Sequence, residues 1–85
     1  MTIQLVFLAR LRERFGVSRE AFMLAPGLST VSTVLGQLRE RGGAFAEELA
    51  PNRAFRVAVN QDVVPLDHPV KAGDEVAIFP PVTGG

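Results

Sequence analysis

Two glycines, Gly84 and Gly85, close the chain behind Phe79-Pro80-Pro81-Val82-Thr83, so the last residue carries a free carboxylate with no bulky side chain near it. A terminal carboxylate titrates near 3.3 to 3.7 and is ionised at neutral pH, which makes it a poor electrophile. It reacts only once activated. Transfer of AMP from ATP converts it to an acyl adenylate; a sulfur donor then leaves a thiocarboxylate, and an amine leaves an amide. Glycine has no Cβ, so a Gly-Gly end can thread a channel too narrow for side chains. Pro80-Pro81 stiffens the base of the segment, and its six residues reach roughly 20 Å when extended. The pattern predicts a folded body over residues 1–79 and a flexible tail over 80–85, inserted into a partner's active site while the body docks outside.

The remaining residues offer little competing chemistry. The chain has no cysteine, which excludes a disulfide scaffold, a thiolate metal site and a cysteine nucleophile. His68 is the one histidine, set between Asp67 and Pro69 without an acid partner or nucleophile, and reads as a solvated or loop-bracing residue. Gly73-Asp74 is a plain turn with no phosphate-loop spacing. No paired carboxylates, triad or ligand cluster suggests an enzyme that works alone. Nine basic and nine acidic residues give no bulk attraction to nucleic acid or an anionic membrane. No apolar stretch can span a bilayer and no secretory signal opens the chain, so a cytoplasmic protein is expected. Arg10, Arg12, Arg14, Arg39 and Arg41 are either solvated helix faces or a docking face. Phe79 and Val82 are read as an exposed apolar contact for a partner.

The elements that must carry this tail follow from periodicity. Ile3–Leu8 alternates as a central strand, with Ile3, Leu5 and Phe7 on one face. Residues 9–15 form one or two helical turns stopped by Gly16, and residues 18–24 a second strand. Pro26-Gly27 turns the chain, Ser29 and Thr30 are candidate caps, and Val31, Val34, Leu35 and Leu38 form the stripe of the main helix, ending near Gly42-Gly43. Gly36 inside that helix implies close packing against the sheet. Ala44–Leu49 adds a short turn. Phe55–Val59 and Val63-Val64 are strands around Asn60-Gln61-Asp62, Asp67-His68-Pro69 is a loop, and Val76–Phe79 is the last strand, closed by prolines. A strand pair, a helix crossover and further strands predict an α+β fold: a mixed sheet of about five strands with one main helix packed on one face.

The residues that carry this layout also resemble a known family. Phe7-Leu8-Ala9-Arg10-Leu11-Arg12-Glu13, Val59-Asn60-Gln61 and above all Gly73-Asp74-Glu75-Val76-Ala77-Ile78-Phe79-Pro80-Pro81-Val82-Thr83-Gly84-Gly85 resemble the small, sulfur-carrying subunit of molybdopterin synthase, over nearly the full length. The resemblance implies a ubiquitin-like β-grasp whose Gly85 is adenylated by a ubiquitin-activating-type adenylyltransferase and then thiocarboxylated. The tail, residues 80–85, would enter the large synthase subunit, with Phe79, Pro80, Pro81, Val82 and Thr83 meeting that partner, and Gly85 would deliver sulfur to cyclic pyranopterin monophosphate. Two charged carriers would be consumed per dithiolene, within a heterotetramer whose catalytic side chains lie in the large subunit. No cofactor is implied on the chain itself; ATP is used by the activating enzyme. Three alternatives remain open: a sulfur carrier for thiamine or tRNA thiolation, a protein modifier joined to lysines, and a β-grasp interaction module. Asn60-Gln61 and Phe79-Pro80-Pro81 favour the molybdopterin reading.

Overall fold

A computed structural model describes residues 1–81. In chain order the elements are β1 (Thr2–Phe7), α1 (Ala9–Phe15), β2 (Arg19–Met23), β3 (Ser29–Thr30), α2 (Val31–Arg39), α3 (Gly43–Glu48), β4 (Arg56–Val59), β5 (Asp62–Val63), β6 (Pro69–Val70) and β7 (Glu75–Phe79). Five strands form one sheet in the order β2-β1-β7-β4-β5. All neighbours are antiparallel except β1 and β7, which run parallel with Val6 beside Ala77 and Phe7 beside Ile78. The sheet is therefore mixed, and with α2 across one face it has the ubiquitin-like β-grasp layout that the strand-helix order predicts. β1 is flanked on both sides, but β7 holds the middle of the sheet.

Alternation decides which face each strand buries. Ile3, Leu5 and Phe7 of β1, Val57 and Val59 of β4, and Val76 and Ile78 of β7 all point into the core, where they meet Val31, Val34, Leu35 and Leu38 of α2. Phe7 also sits edge-on to Phe15 at 4.9 Å between ring centres, and Phe15 stacks on Phe45 at 4.2 Å. This aromatic trio ties α1 and α3 to the sheet. Gly16, with φ 74°, ends α1 as a left-handed cap whose N–H donates to the Arg12 carbonyl.

Thr30 caps α2: its hydroxyl accepts from the Thr33 N–H at 3.4 Å, and the Thr30 N–H donates to Thr33 Oγ1 at 3.2 Å. Ser29 caps nothing there and is instead buried in β3. The helix stops at Arg39, short of the expected Gly42-Gly43, because those two glycines take positive φ values of 75° and 56° and start α3. Pro69 and Val70, expected in a loop and in no strand, pair as β6 with Thr30 and Ser29. Two residues per strand are too few to leave a periodic signal.

Gly36 does not pack closely on anything. A Cβ built there meets no heavy atom within 4 Å. The cause of a glycine at this site is therefore not the expected contact with the sheet. Gly36→Ala should stabilise the fold by about 1 kcal/mol, since Ala loses less backbone freedom in a helix. Thermal unfolding should show a midpoint raised by about 4–8 °C.

No helix among the described residues is long and apolar enough to cross a membrane.

Candidate functional site

The segment expected to form the tail follows the end of β7. Strand alternation buries Val76 and Ile78 and turns Ala77 and Phe79 to the opposite face, so Phe79 is half-buried on the side away from α2. Pro80 and Pro81 follow, also half-buried, and lack the N–H that would extend the ladder. Phe79, Pro80 and Pro81 are thus placed together at the root of the tail. Val82, Thr83, Gly84 and Gly85 lie outside the described residues.

Around this root the outer sheet face carries apolar side chains, with Arg56 opposite Phe79 in the register. The register sets Val6, Ala77, Ala58 and Val63 in one row across β1, β7, β4 and β5. Val63 is 63% exposed. Leu8, whose N–H donates to the Ile78 carbonyl at 3.2 Å, is 43% exposed beside the last residues of β7. Leu8 is followed by Ala9 at φ 53°, a left-handed conformation uncommon for a residue with a Cβ. Leu8, Val63 and the flanking Val6 and Ala77 were not among the residues expected to meet a partner. The signal was present: Val6 and Leu8 are apolar on the face of β1 that a one-sided strand would make polar.

Asn60 and Gln61 make the two-residue turn between β4 and β5 with φ 50° and 74°, a pairing favourable to the sheet's twist. Asn60 then reaches back to β7: its Oδ1 accepts from the Glu75 N–H at 3.0 Å and its Nδ2 donates to Asp74 Oδ1 at 3.0 Å. Asp74, buried, also accepts from the Lys71 N–H at 2.9 Å and the Lys71 ammonium at 3.2 Å. These contacts hold the entry of β7 and account for Asn60 and Asp74 structurally. Burial works to raise the Asp74 carboxyl, but the hydrogen bonds from Lys71 and Asn60 and the Lys71 charge outweigh it and hold the group below the usual carboxylate range.

A depressed carboxylate contributes stability above its unfolded value, about 3.9, and loses that contribution as pH falls through the folded value. Asp74→Asn should therefore cost about 1–3 kcal/mol at neutral pH and progressively less below about pH 4. Urea midpoints of the two proteins across that range check this; a constant gap would contradict it.

The ThiS family model matches residues 5–85. The chain belongs to the ThiS family. Within it, the chain is 40% identical over 83 residues to the molybdopterin synthase sulfur carrier subunit of Haemophilus influenzae, covering 98% of this chain and 99% of that one. It is 39% identical, over the same length and shares, to the subunit of that name from Escherichia coli. Among solved structures, SAMP1 from Haloferax volcanii matches with a TM-score of 0.84 and 27% identity over all of both chains.

The arginines of this ThiS-family chain are mostly engaged within it. Glu48, with a side chain only 4% exposed, accepts from Arg10 at 2.5 and 2.8 Å and from Arg53 at 2.7 Å, with Arg14 at 3.9 Å. One carboxylate so joins α1, α3 and the approach to β4. Arg41 pairs with Glu20 at 2.8 and 2.9 Å and lies over the rings of Phe22 and Phe45. The hydrogen bond from Arg41 holds Glu20 below the usual carboxylate range, against the opposing effect of burial. Arg39 donates to the Leu49 carbonyl at 2.7 Å. Of the five arginines first considered as helix faces or a docking face, Arg12 alone has no such contact among the described residues. His68 braces its loop through its backbone, accepting from the Val31 N–H at 3.0 Å and donating to the Pro65 carbonyl at 3.1 Å. Among the described residues, no group of three or more potential ligands could hold a metal ion.

Proposed function

We propose that this chain is the sulfur-carrier subunit of molybdopterin synthase, with Gly85 as the reacting residue. The observation that carries the reading is 40% and 39% identity, over nearly the whole of each chain, to proteins bearing that name. The Gly85 carboxylate attacks the α-phosphorus of ATP, pyrophosphate leaves, and an acyl adenylate forms. A sulfur nucleophile then attacks the acyl carbon and AMP departs, leaving sulfur in place of one carboxylate oxygen. The thiocarboxylate sulfur then attacks a carbon of cyclic pyranopterin monophosphate and displaces an oxygen substituent, and water hydrolyses the resulting thioester, which leaves the sulfur on the pterin and returns Gly85 as its carboxylate.

The chain's own residues present the carboxylate. Gly84 lets the end enter a narrow channel, Pro80 and Pro81 restrict the root, and Leu8, Val63 and Phe79 supply an apolar surface around it for the receiving protein. Thr83 and Val82 complete the inserted segment. The two receivers are a ubiquitin-activating-type adenylyltransferase, which uses the ATP, and the large synthase subunit, which supplies the catalytic side chains in a heterotetramer. The chain holds no cofactor of its own. Incubated with activating enzyme, ATP and a sulfur donor, the intact protein should gain the mass difference between sulfur and oxygen. No change under conditions that charge the H. influenzae carrier would contradict the proposal.

One observation favours a second reading. The likeness to SAMP1, a protein described as a small archaeal modifier, extends over both whole chains. If the same activated Gly85 acylated lysines, immunoblots of cells would show higher-mass conjugates that vanish when Gly85 is removed.

A further inference from the structure

Between α2, the approach to β4 and the segment after β5, the structure holds a groove of about 320 Å³. Arg39, Arg53 and Arg56 line it together with Leu35, Phe55 and Leu66, and no aspartate or glutamate does. The chain as a whole is neutral, so this is a local surplus of positive charge over an apolar floor. Arg53 shares Glu48 with Arg10 and Arg14, and Arg39 spends one N–H on the Leu49 carbonyl, but each guanidinium has five donors and keeps others. Arg56 has no ion pair among the described residues. Leu66, 48% exposed, adds an apolar side chain to the groove.

From this combination we infer a docking site for an acidic segment of the large synthase subunit, one in which a carboxylate stands next to an apolar side chain. A free anion would use the guanidiniums without touching Phe55 and Leu66; a purely apolar segment would leave Arg56, which has no ion pair among the described residues, and the spare donors of Arg39 and Arg53 unmet. The volume suits two or three side chains and lies at the lower end of the range of ligand pockets. Arg56 stands opposite Phe79 in the β4–β7 register, so a protein that packs on Phe79 reaches the edge of the groove at Arg56. The identity of the partner rests on the reading given above; the preference for an acidic segment rests on the groove alone.

The test is an amide-shift titration of the full chain with a capped Asp-Leu-Asp-Leu peptide and its Asn-Leu-Asn-Leu counterpart. The acidic peptide should shift the amides of Leu35, Phe55 and Leu66 at millimolar concentrations, and about 0.5 M salt should suppress the effect. Arg56→Glu should weaken it by about tenfold or more, through charge reversal. Leu66→Ser, which alters no charge, should also weaken it, and it keeps the test alive if the Arg56 variant does not fold. Equal binding of the neutral peptide, equal shifts from sulfate alone, or shifts confined to another face would each overturn the inference. Deletion of Gly85 should leave peptide binding unchanged. If Gly85 accepts sulfur normally while the groove binds nothing, only the docking site falls.

Discussion

Removing Gly85 should abolish sulfur loading while leaving the fold intact. Among the described residues the last one in the core is Ile78. The thermal midpoint of the truncated chain should therefore stay within about 1 °C of the parent. Its new terminus, Gly84, would stand one residue short of the adenylating centre, a displacement of about 3.5 Å. Acyl transfer depends on reacting atoms held within a few tenths of an ångström, and even 1 Å of misplacement can cost about 100-fold in rate. Gly84→Ala separates reach from width: it keeps the length, adds a Cβ, and should slow loading by about 100-fold if the channel excludes side chains. Mass spectrometry of intact protein after timed incubation with activating enzyme, ATP and a sulfur donor measures both. Full loading of the truncated chain would remove Gly85 from the mechanism.

The second large effect is expected on the docking surface. Phe79→Ala should weaken association with the receiving subunit by about 2 kcal/mol, roughly 30-fold in Kd, because a half-buried aromatic ring beside the tail root is the type of contact that dominates an interface. Part of that ring packs on its own domain, so the substitution also costs some stability. Val63→Asp supplies the clean comparison. Val63 is 63% exposed on the same outer face, and its replacement places a charge in the apolar row without touching the core. It should weaken association by about tenfold or more and leave the urea midpoint nearly unchanged. Calorimetric titration of each variant with the large subunit reads the affinities. Unaltered binding by both would move the docking surface elsewhere.

Much of the architecture was legible because its signals are local. Ile3, Leu5 and Phe7 alternate, Val31, Val34, Leu35 and Leu38 recur with the helical period, and Gly16 and Thr30 mark helix ends through their own backbone and side-chain preferences. Phe79, read as exposed, is half-buried and turned outward, because alternation from Ile78 sets its face. The prolines marked the end of β7 because they lack a donor. Gly36 misled: glycine in a helix suggests a close neighbour, yet none is there. The helix end was misplaced because Gly42-Gly43 reads equally as a stop for one helix and as the entry to the next.

What lay beyond reach were contacts between distant parts of the chain. Nothing near Glu48 announces that Arg10, 38 residues earlier, will join Arg53 on its carboxylate. Asn60 looked like a mark of the acceptor, and the structure shows it holding Asp74, 14 residues on, so its identity is set by the turn and by the entry to β7. The apolar row of Val6, Ala77, Ala58 and Val63 exists only because four strands come into register, and the arginine groove only because α2, the approach to β4 and the segment after β5 converge. By itself the sequence pointed to the chemistry proposed for the Gly85 carboxylate and to the kind of fold: a Gly-Gly motif needs no tertiary structure to be recognised, and hydrophobic period is a property of neighbours. Only the tertiary structure decided which surfaces surround that carboxylate's root, because strand register and helix placement depend on the whole core closing at once.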